Sequence, residues 1–351
     1  MRRRRSTDWP KAAEALAARV PAGRLHPGVV EWAGSRPRAE RWAVAFSGGA
    51  DSLALLLLLW AHWPARRSRL TALHFDHRLR GPESTADARF CRRVCASLGV
   101  RLASGRWTSG RGRRSEGEAR AGRFAFFERE MARRRLRVLM LGHQQDDVAE
   151  TMMMRLARGS GAAGLAAPRP VHAFAPAKAA GGRFHVRPLL SLKKAEIVRA
   201  LRACGAEWRE DSSNSEGAHF RNRLRRDVIP RWLRASERDA LAGAALSREL
   251  LEEDDRALEA WVDSLKVLEA GGSLSAARLA GKPRAVVRRA LHRWLLLQPR
   301  AGELSRKGFE ALLQSVERGA RARHSLGSEG FATLRAGRLR FEKMRRTPRA
   351  H

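Results

Sequence analysis

The stretch Trp42-Ala43-Val44-Ala45-Phe46-Ser47-Gly48-Gly49-Ala50-Asp51-Ser52 decides how this chain folds. Five apolar residues, two adjacent glycines, and then the apolar run 53–60 read as strand, tight turn and helix. Two glycines let the backbone turn sharply and present N–H groups, and the helix N-terminus adds partial positive charge, so the turn suits an anion. Ser47 and Ser52 add hydroxyl groups, Ala50 keeps the first helical turn small, and Asp51 is placed to hold Mg²⁺ against phosphates. The spacing is neither a Walker A loop nor G-x-G-x-x-G, because no Gly-Lys-Ser/Thr follows.

Outward from this turn the same alternation continues. Apolar runs at 42–46, 70–75, 100–107 and 138–141 each precede a helical pattern, at 51–63, 83–98, 115–135 and 146–157. Strands alternating with helices of ten or more residues predict an α/β fold, a parallel sheet with helices on both faces. Residues 184–190 add a further strand before a helix at 193–204, which opens on Lys193 and Lys194 and is stopped by Gly205. Residues 166–182, rich in Ala, Pro and Gly, read as an excursion. After about 230 the strand signal fades, and helices are expected at 238–267, 284–297 and 307–319, with a small hairpin in 324–341. The expected organisation is a basic, loosely attached extension at 1–40, an α/β domain at 41–232 and a smaller, mainly helical domain at 235–345.

The 351 residues carry a formal charge of +34, and 44% of them are apolar, too many for a disordered polyelectrolyte. Sixty-two of the 70 basic residues are Arg. A GC-rich genome can exchange Lys for Arg, but it does not make bases outnumber acids nearly two to one. Such a field attracts polyanions, nucleic acid first among them, and binding through about six phosphates would give a log–log salt slope near −5. The longest apolar run, 53–60, is far shorter than the roughly 20 residues of a membrane span, so no membrane partner is expected. Three cysteines make no disulfide framework, which suggests reduced thiols and a cytoplasmic location.

Further motifs lie where strands should end, the edge at which open α/β sheets collect ligands. The first is His74-Phe75-Asp76-His77-Arg78-Leu79-Arg80, with Ser84 beyond it. Next, Ser115-Glu116-Gly117-Glu118-Ala119-Arg120 sits in a stretch with 12 Arg and 4 Glu (101–137), where Arg120 at a helix start could clamp a phosphate. Then Leu141-Gly142-His143-Gln144-Gln145-Asp146-Asp147-Val148-Ala149-Glu150-Thr151 opens a helix. Asp147 and Glu150, three apart, share one helical face, and two carboxylates in one pocket call for a metal or an ammonium between them. Asp146 reads as an ordinary first-turn acid. Downstream come the basic, Gly-rich loop around Arg158, then Glu210-Asp211-Ser212-Ser213-Asn214, and then the cationic Phe220-Arg221-Asn222-Arg223-Leu224-Arg225-Arg226, suited to phosphates or a base edge.

The turn S-G-G-x-D-S resembles the pyrophosphate loop (PP-loop) of the N-type ATP pyrophosphatases, of adenine nucleotide α-hydrolase-like fold. In their order over about 42–232, the motifs together resemble the tRNA(Ile)-lysidine synthetase family, and the chain looks like a short form. The resemblance implies ATP and Mg²⁺, free L-lysine, and an isoleucine tRNA with a CAU anticodon. ATP adenylates C2 of the wobble cytidine, and lysine then displaces AMP to form lysidine. It implies phosphate binding by Ser47, Gly48, Gly49, Ala50, Asp51 and Ser52, with Asp51 on Mg²⁺, and lysine binding by Asp147 and Glu150. It also implies help from His143 and Arg120, and tRNA contacts by Arg158, Arg221, Arg223 and Arg225. The assembly is left open, a homodimer being one arrangement. Departures are Gln144-Gln145 in place of His-Ala and Arg78 in place of Gly, and the lack of any Tyr leaves base stacking to Phe, Trp and Arg. The alternatives are a tRNA-thiolating relative, against which the spacing of Cys91 and Cys95 speaks, and a non-catalytic tRNA-binding relative.

Overall fold

The computed structural model describes residues 7–76, 82–107, 116–174, 182–210, 220–299 and 304–344. Residues 77–80, 115 and 211–214 of the motifs above lie outside the described residues. The chain divides into two compact units, Met1–Leu251 and Glu252–His351, so the division falls later than the 232–235 expected.

In the first unit, α1 (Trp9–Arg19) and α2 (Pro27–Gly34) precede β1 (Trp42–Ala45) and α3 (Ala50–His62). Then follow β2 (Leu70–Asp76), α4 (Pro82–Ser97), β3 (Arg101–Arg106), α5 (Glu116–Arg133), β4 (Val138–Met140) and α6 (Gln145–Leu156). A short α7 (Ala162–Leu165), β5 (Val171–Phe174), β6 (Arg183–Val186), α8 (Lys194–Ala203), α9 (Phe220–Arg223) and α10 (Ile229–Ala235) lead to α11 (Ala240–Ser264).

Among the described residues six strands form one sheet, in the order β3-β2-β1-β4-β6-β5. All pairs are parallel except β5 with β6. The chain builds outward from β1 to β3, then returns to place β4 on the other side of β1. The loops after β1 and β4 therefore diverge at a topological switch point, the crevice where such sheets bind ligands. The sheet's faces are filled from both sides. Leu53 to Leu59 on α3 are all at most 1% exposed, while Phe126, Phe127 and Met131 of α5 pack with Leu73 and Leu139.

Two expectations need correction. Residues 7–40 are not a loose extension. Asp8 caps α1 by accepting the Lys11 N–H at 3.2 Å, and Trp9, Ala12, Ala13 and Leu16 form a buried stripe at helical spacing, of which Trp9, Ala13 and Leu16 join the main core. Trp9 meets Phe90 edge-on at 5.7 Å, and Trp32 of α2 stacks on Trp42 at 6.4 Å. The second correction is β5, an antiparallel edge strand inside the supposed excursion, held by pairing with β6 and by Phe174 stacked 3.8 Å from His185.

The second unit contains β7 (Leu274–Ser275), α12 (Arg284–Leu296), α13 (Arg306–Arg318), β8 (Ala322–Ser325), β9 (Gly330–Arg335) and β10 (Arg338–Lys343). The expected hairpin is β9–β10, and β7 and β8 extend it to a four-stranded antiparallel sheet among the described residues. Its core gathers Trp294, Leu312, Leu313 and Leu339.

Candidate active site

The turn after β1 is built from its own side chains. Phe46 N–H continues the ladder by donating to Leu73 O at 2.9 Å. Gly48 then takes φ +89°, and a Cβ there would lie 3.2 Å from both Cys91 Sγ and Phe90, so both its conformation and its packing require glycine. Ser47 and Ser52 brace the turn: Ser47 N–H donates to Ser52 Oγ at 3.2 Å, the two hydroxyls lie 3.0 Å apart, and Ser52 Oγ–H donates to Gly49 O at 3.0 Å. The result is a preformed concavity at the N-terminus of a 13-residue helix.

The loop after β4 lies directly against it. A Cβ on Gly142 would stand 3.1 Å from the carbonyl carbon and oxygen of Asp51, a backbone approach that any side chain would block. Asp51 is thereby enclosed between the two loops, and burial raises its carboxyl above the usual range. The Lys194 ammonium opposes that rise. Lys194 Nζ donates to Asp51 Oδ2 at 2.6 Å, while Asp51 Oδ1 is buried without a hydrogen-bond partner. A carboxylate oxygen left this way is suited to a cation.

Gln144 and Asp147 form a capping box at the start of α6. Gln144 Oε1 accepts the Asp146 N–H at 2.6 Å, and Asp147 Oδ2 accepts the Gln144 N–H at 3.0 Å. Asp146 does not cap its own helix; its Oδ2 accepts the Lys194 N–H at 2.9 Å and so secures the start of α8. Gln144, a departure from the family pattern, thus has a structural task.

Asp147 and Glu150 do share one face, and both are buried, at 8% and 1% exposed. The cations between them are arginines of the chain itself. Arg221 donates through Nη2 to Asp147 Oδ1 at 2.5 Å and through Nε to Glu150 Oε2 at 2.6 Å. Arg225 donates through Nε to Glu150 Oε1 at 2.7 Å and through Nη2 to Oε2 at 3.0 Å. Two carboxylates and two guanidiniums make a neutral cluster. The side chain of Arg225 is 46% exposed against 21% for Arg221, so it is the more weakly held partner. Lys194 ties the two loops together, its N–H on Asp146 beside the carboxylate pair and its Nζ on Asp51 in the turn.

His143 sits beside this cluster. Arg187 Nε donates to its Nδ1 at 3.0 Å, so the neutral ring carries its proton on Nε2. Burial first, and then the charges of Arg187, Arg221, Arg120 and Arg123, hold its pKa well below the usual value. His143 is therefore a neutral hydrogen-bond donor, not a base that titrates near neutrality. Arg187 is itself 8% exposed, bonded to Arg169 O at 2.6 Å, and lowered by burial to about 10. Arg120 reaches this region from α5, its guanidinium 4.8 Å from the Phe124 ring. Arg158 and Arg223 are exposed, Arg158 just beyond α6 and Arg223 with its guanidinium 5.8 Å from the Phe220 ring. Lys194 and Arg187 escape the sequence analysis. The paired lysines before α8 are the available signal for the first; Arg187, one residue past the end of β6, is the available signal for the second.

Cys91 and Cys95 face the core from α4, not a crevice. Burial raises both thiols, Cys95 to about 12.

Comparison with known proteins gives this arrangement a family. A PP-loop domain family matches residues 29–232. The chain is 35% identical over 286 residues to the tRNA(Ile)-lysidine synthase of Geobacter sulfurreducens, which covers 77% of this chain and 57% of that protein. Against the tRNA(Ile)-lysidine synthase of Hyphomonas neptunium it is 38% identical over 278 residues, 78% of this chain and 72% of that one. The chain thus spans little more than half the length of the first of these relatives. Among solved structures, the U34-tRNA thiolase NcsA of Methanococcus maripaludis, solved with its [4Fe-4S] cluster, superposes with a TM-score of 0.50 at 16% identity, over 69% of this chain and 78% of that one. That likeness is one of fold. With a matching domain over more than half its length and a synthase relative covered to nearly three quarters, the chain belongs to the PP-loop family, among the tRNA(Ile)-lysidine synthases.

Proposed function

We propose that the protein joins L-lysine to C2 of the wobble cytidine in an isoleucine tRNA with a CAU anticodon, at the expense of ATP, in the cytoplasm. The observation that supports this reading is the contact at Gly142, which sets the loop leading into Asp147 and Glu150 against the Ser47–Ser52 turn. In the first step the C2 carbonyl oxygen attacks the α-phosphorus of ATP and pyrophosphate leaves. The turn N–H groups, the two serines and Lys194 hold the departing phosphates, with Lys194 transferring from Asp51 to a phosphate oxygen. Mg²⁺, when bound, would sit on Asp51 Oδ1 and neutralise phosphate charge.

In the second step the lysine ε-ammonium displaces Arg225 from the carboxylate pair and gives one proton to that pair. Its nitrogen lone pair then attacks C2, the C2–O bond breaks, and AMP departs with the bonding electrons. Holding both reactants in one crevice supplies much of the rate. His143, neutral and donating through Nε2, orients the base instead of removing a proton. The base must leave its stack to enter the crevice, and the exposed side chains of Arg120, Arg158 and Arg223 would meet its phosphates.

The experiment is to incubate the purified protein with ATP, Mg²⁺, radiolabelled lysine and a panel of tRNA transcripts. Label entering only the CAU-anticodon isoleucine tRNA supports the reading. Label in no tRNA, or in the methionine tRNA equally, overturns it.

A further inference from the structure

The opposite edge of the sheet carries a second basic concavity. Arg41 immediately precedes β1, Thr71 is the second residue of β2, Arg101 opens β3, Arg133 ends α5, and Arg134 and Arg135 follow it; together they line a cavity of about 240 Å³. The strands are parallel, so this edge is the N-terminal one, away from the crevice. Along β2 alone, Thr71 and Asp76 are separated by about 17 Å at ~3.3 Å per residue. One nucleotide's phosphates cannot serve both places.

Helix-end electrostatics explain Arg133 and Arg134, which share Glu130 at 2.8 and 2.9 Å near the C-terminus of α5. They do not explain Arg41 and Arg101, which arrive from strand ends. Nor do they explain Arg135, a non-glycine residue at φ +54°, a conformation L side chains adopt at some cost. Among the described residues Glu130, which pairs with Arg133 and Arg134, is the one carboxylate paired with any of these five arginines. The wall is firmly held: Arg66, 4% exposed, donates to Glu40 O at 2.9 Å and to Arg36 O at 3.0 Å, fixing the segment that leads into Arg41. Among the described residues no aromatic ring lines the cavity, so they offer a base nothing to stack on. Its volume, about eight waters' worth, fits a phosphate or a pyrophosphate, and planar guanidiniums grip such oxyanions through paired hydrogen bonds.

We propose that this cavity is an oxyanion pocket that binds a phosphate group remote from the reaction centre, a backbone phosphate of RNA or a free pyrophosphate. The RNA source rests on the tRNA reading above; the free anion does not. The test compares the wild-type protein with R41Q/R101Q/R135Q and with a control, R19Q/R199Q/R202Q, that removes three exposed arginines elsewhere on the same unit. If the phosphate belongs to RNA, the pocket variant lowers the slope of log affinity for tRNA against log salt by about one per lost phosphate, while the control changes it little. If it is free, pyrophosphate titrated into protein already saturated with a non-hydrolysable ATP analogue binds the wild type and not the pocket variant, with the tRNA slope unchanged. The pocket variant should still bind the ATP analogue, because its changes lie at the other sheet edge. R41K/R101K/R135K keeps the charge and loses the paired bonds, so it should weaken binding of whichever anion the pocket takes. Equal slopes in the pocket and control variants, together with no pyrophosphate bound to the saturated wild type, overturn the proposal.

Discussion

Replacing Glu150 by Gln preserves the outline of the side chain and removes its charge. The carboxylate is 1% exposed and accepts from Arg221 Nε at 2.6 Å and from Arg225 Nε and Nη2 at 2.7 and 3.0 Å. Removing one partner of a buried ion pair costs about 3–5 kcal/mol, because the other charge is left uncompensated. Arg225 is half in solvent, which takes up much of its loss. Arg221 keeps Asp147 Oδ1 at 2.5 Å. The loss should therefore lie near the lower end, about 3 kcal/mol, or on the order of 8 °C in Tm for a unit of this size. Thermal unfolding measures that effect. Lysine incorporation measures the other, for which the proposed reaction requires kcat/KM for lysine to fall about 100-fold, or ~2.7 kcal/mol. A variant that melts with the wild type and uses lysine at the wild-type KM refutes both roles. One that melts lower while its lysine kinetics are intact leaves Glu150 as an anchor for the arginines and removes it from the substrate site.

Arg225→Gln carries the opposite sign for lysine. With one guanidinium gone the pair keeps a net negative charge, so the KM for lysine should fall several-fold, and a raised KM contradicts the displacement step. Lys194→Met should raise the Kd of a non-hydrolysable ATP analogue about tenfold or more, since it removes a charge-assisted phosphate contact and leaves Asp51 facing the phosphates alone; an unchanged Kd in isothermal titration removes Lys194 from the site. Burial holds His143 and His74 below the usual histidine range and His185 at about 3. The unfolded chain takes up protons on these rings from about pH 6.5 downward and the folded chain does not, so stability declines on acidification below that point. Thermal midpoints should drop steadily from pH 7 to pH 5, and a midpoint that rises over that interval refutes the assignment.

The elements of the first unit are legible because each carries its own period. Leucines crowd 53–59, and short apolar runs end at residues that can turn. What escapes detection lacks that local contrast. The stripe Trp9, Ala12, Ala13, Leu16 is diluted by alanine and arginine, and only its fit against α3 and Phe90 turns it into core. β5 is an edge strand of four residues with an alternation too short to stand out beside the Ala, Pro and Gly that follow, and it is its pairing with β6 that makes it a strand.

At the site, the same distinction separates residue types from partnerships. Asp147 and Glu150 are visible in the sequence because three-residue spacing puts two carboxylates on one helical face, and that placement holds. Their partners are not visible: Arg221 and Arg225 lie more than 70 residues further on, and Lys194 is 143 residues from Asp51. An arginine followed four residues later by another predicts a cationic face, but whether that face meets RNA or a buried acid depends on where the fold returns the chain. Here it returns to the acids, and the pairing makes chemical sense of both. Two carboxylates this buried need countercharges beside them, and the arginines that supply these are held in a fixed orientation. A crevice neutral at rest has to trade a guanidinium for each cation it admits. Arg225, the more exposed partner, is the one it can trade, and Arg221, bonded to both carboxylates, is the one that keeps their geometry while the exchange takes place.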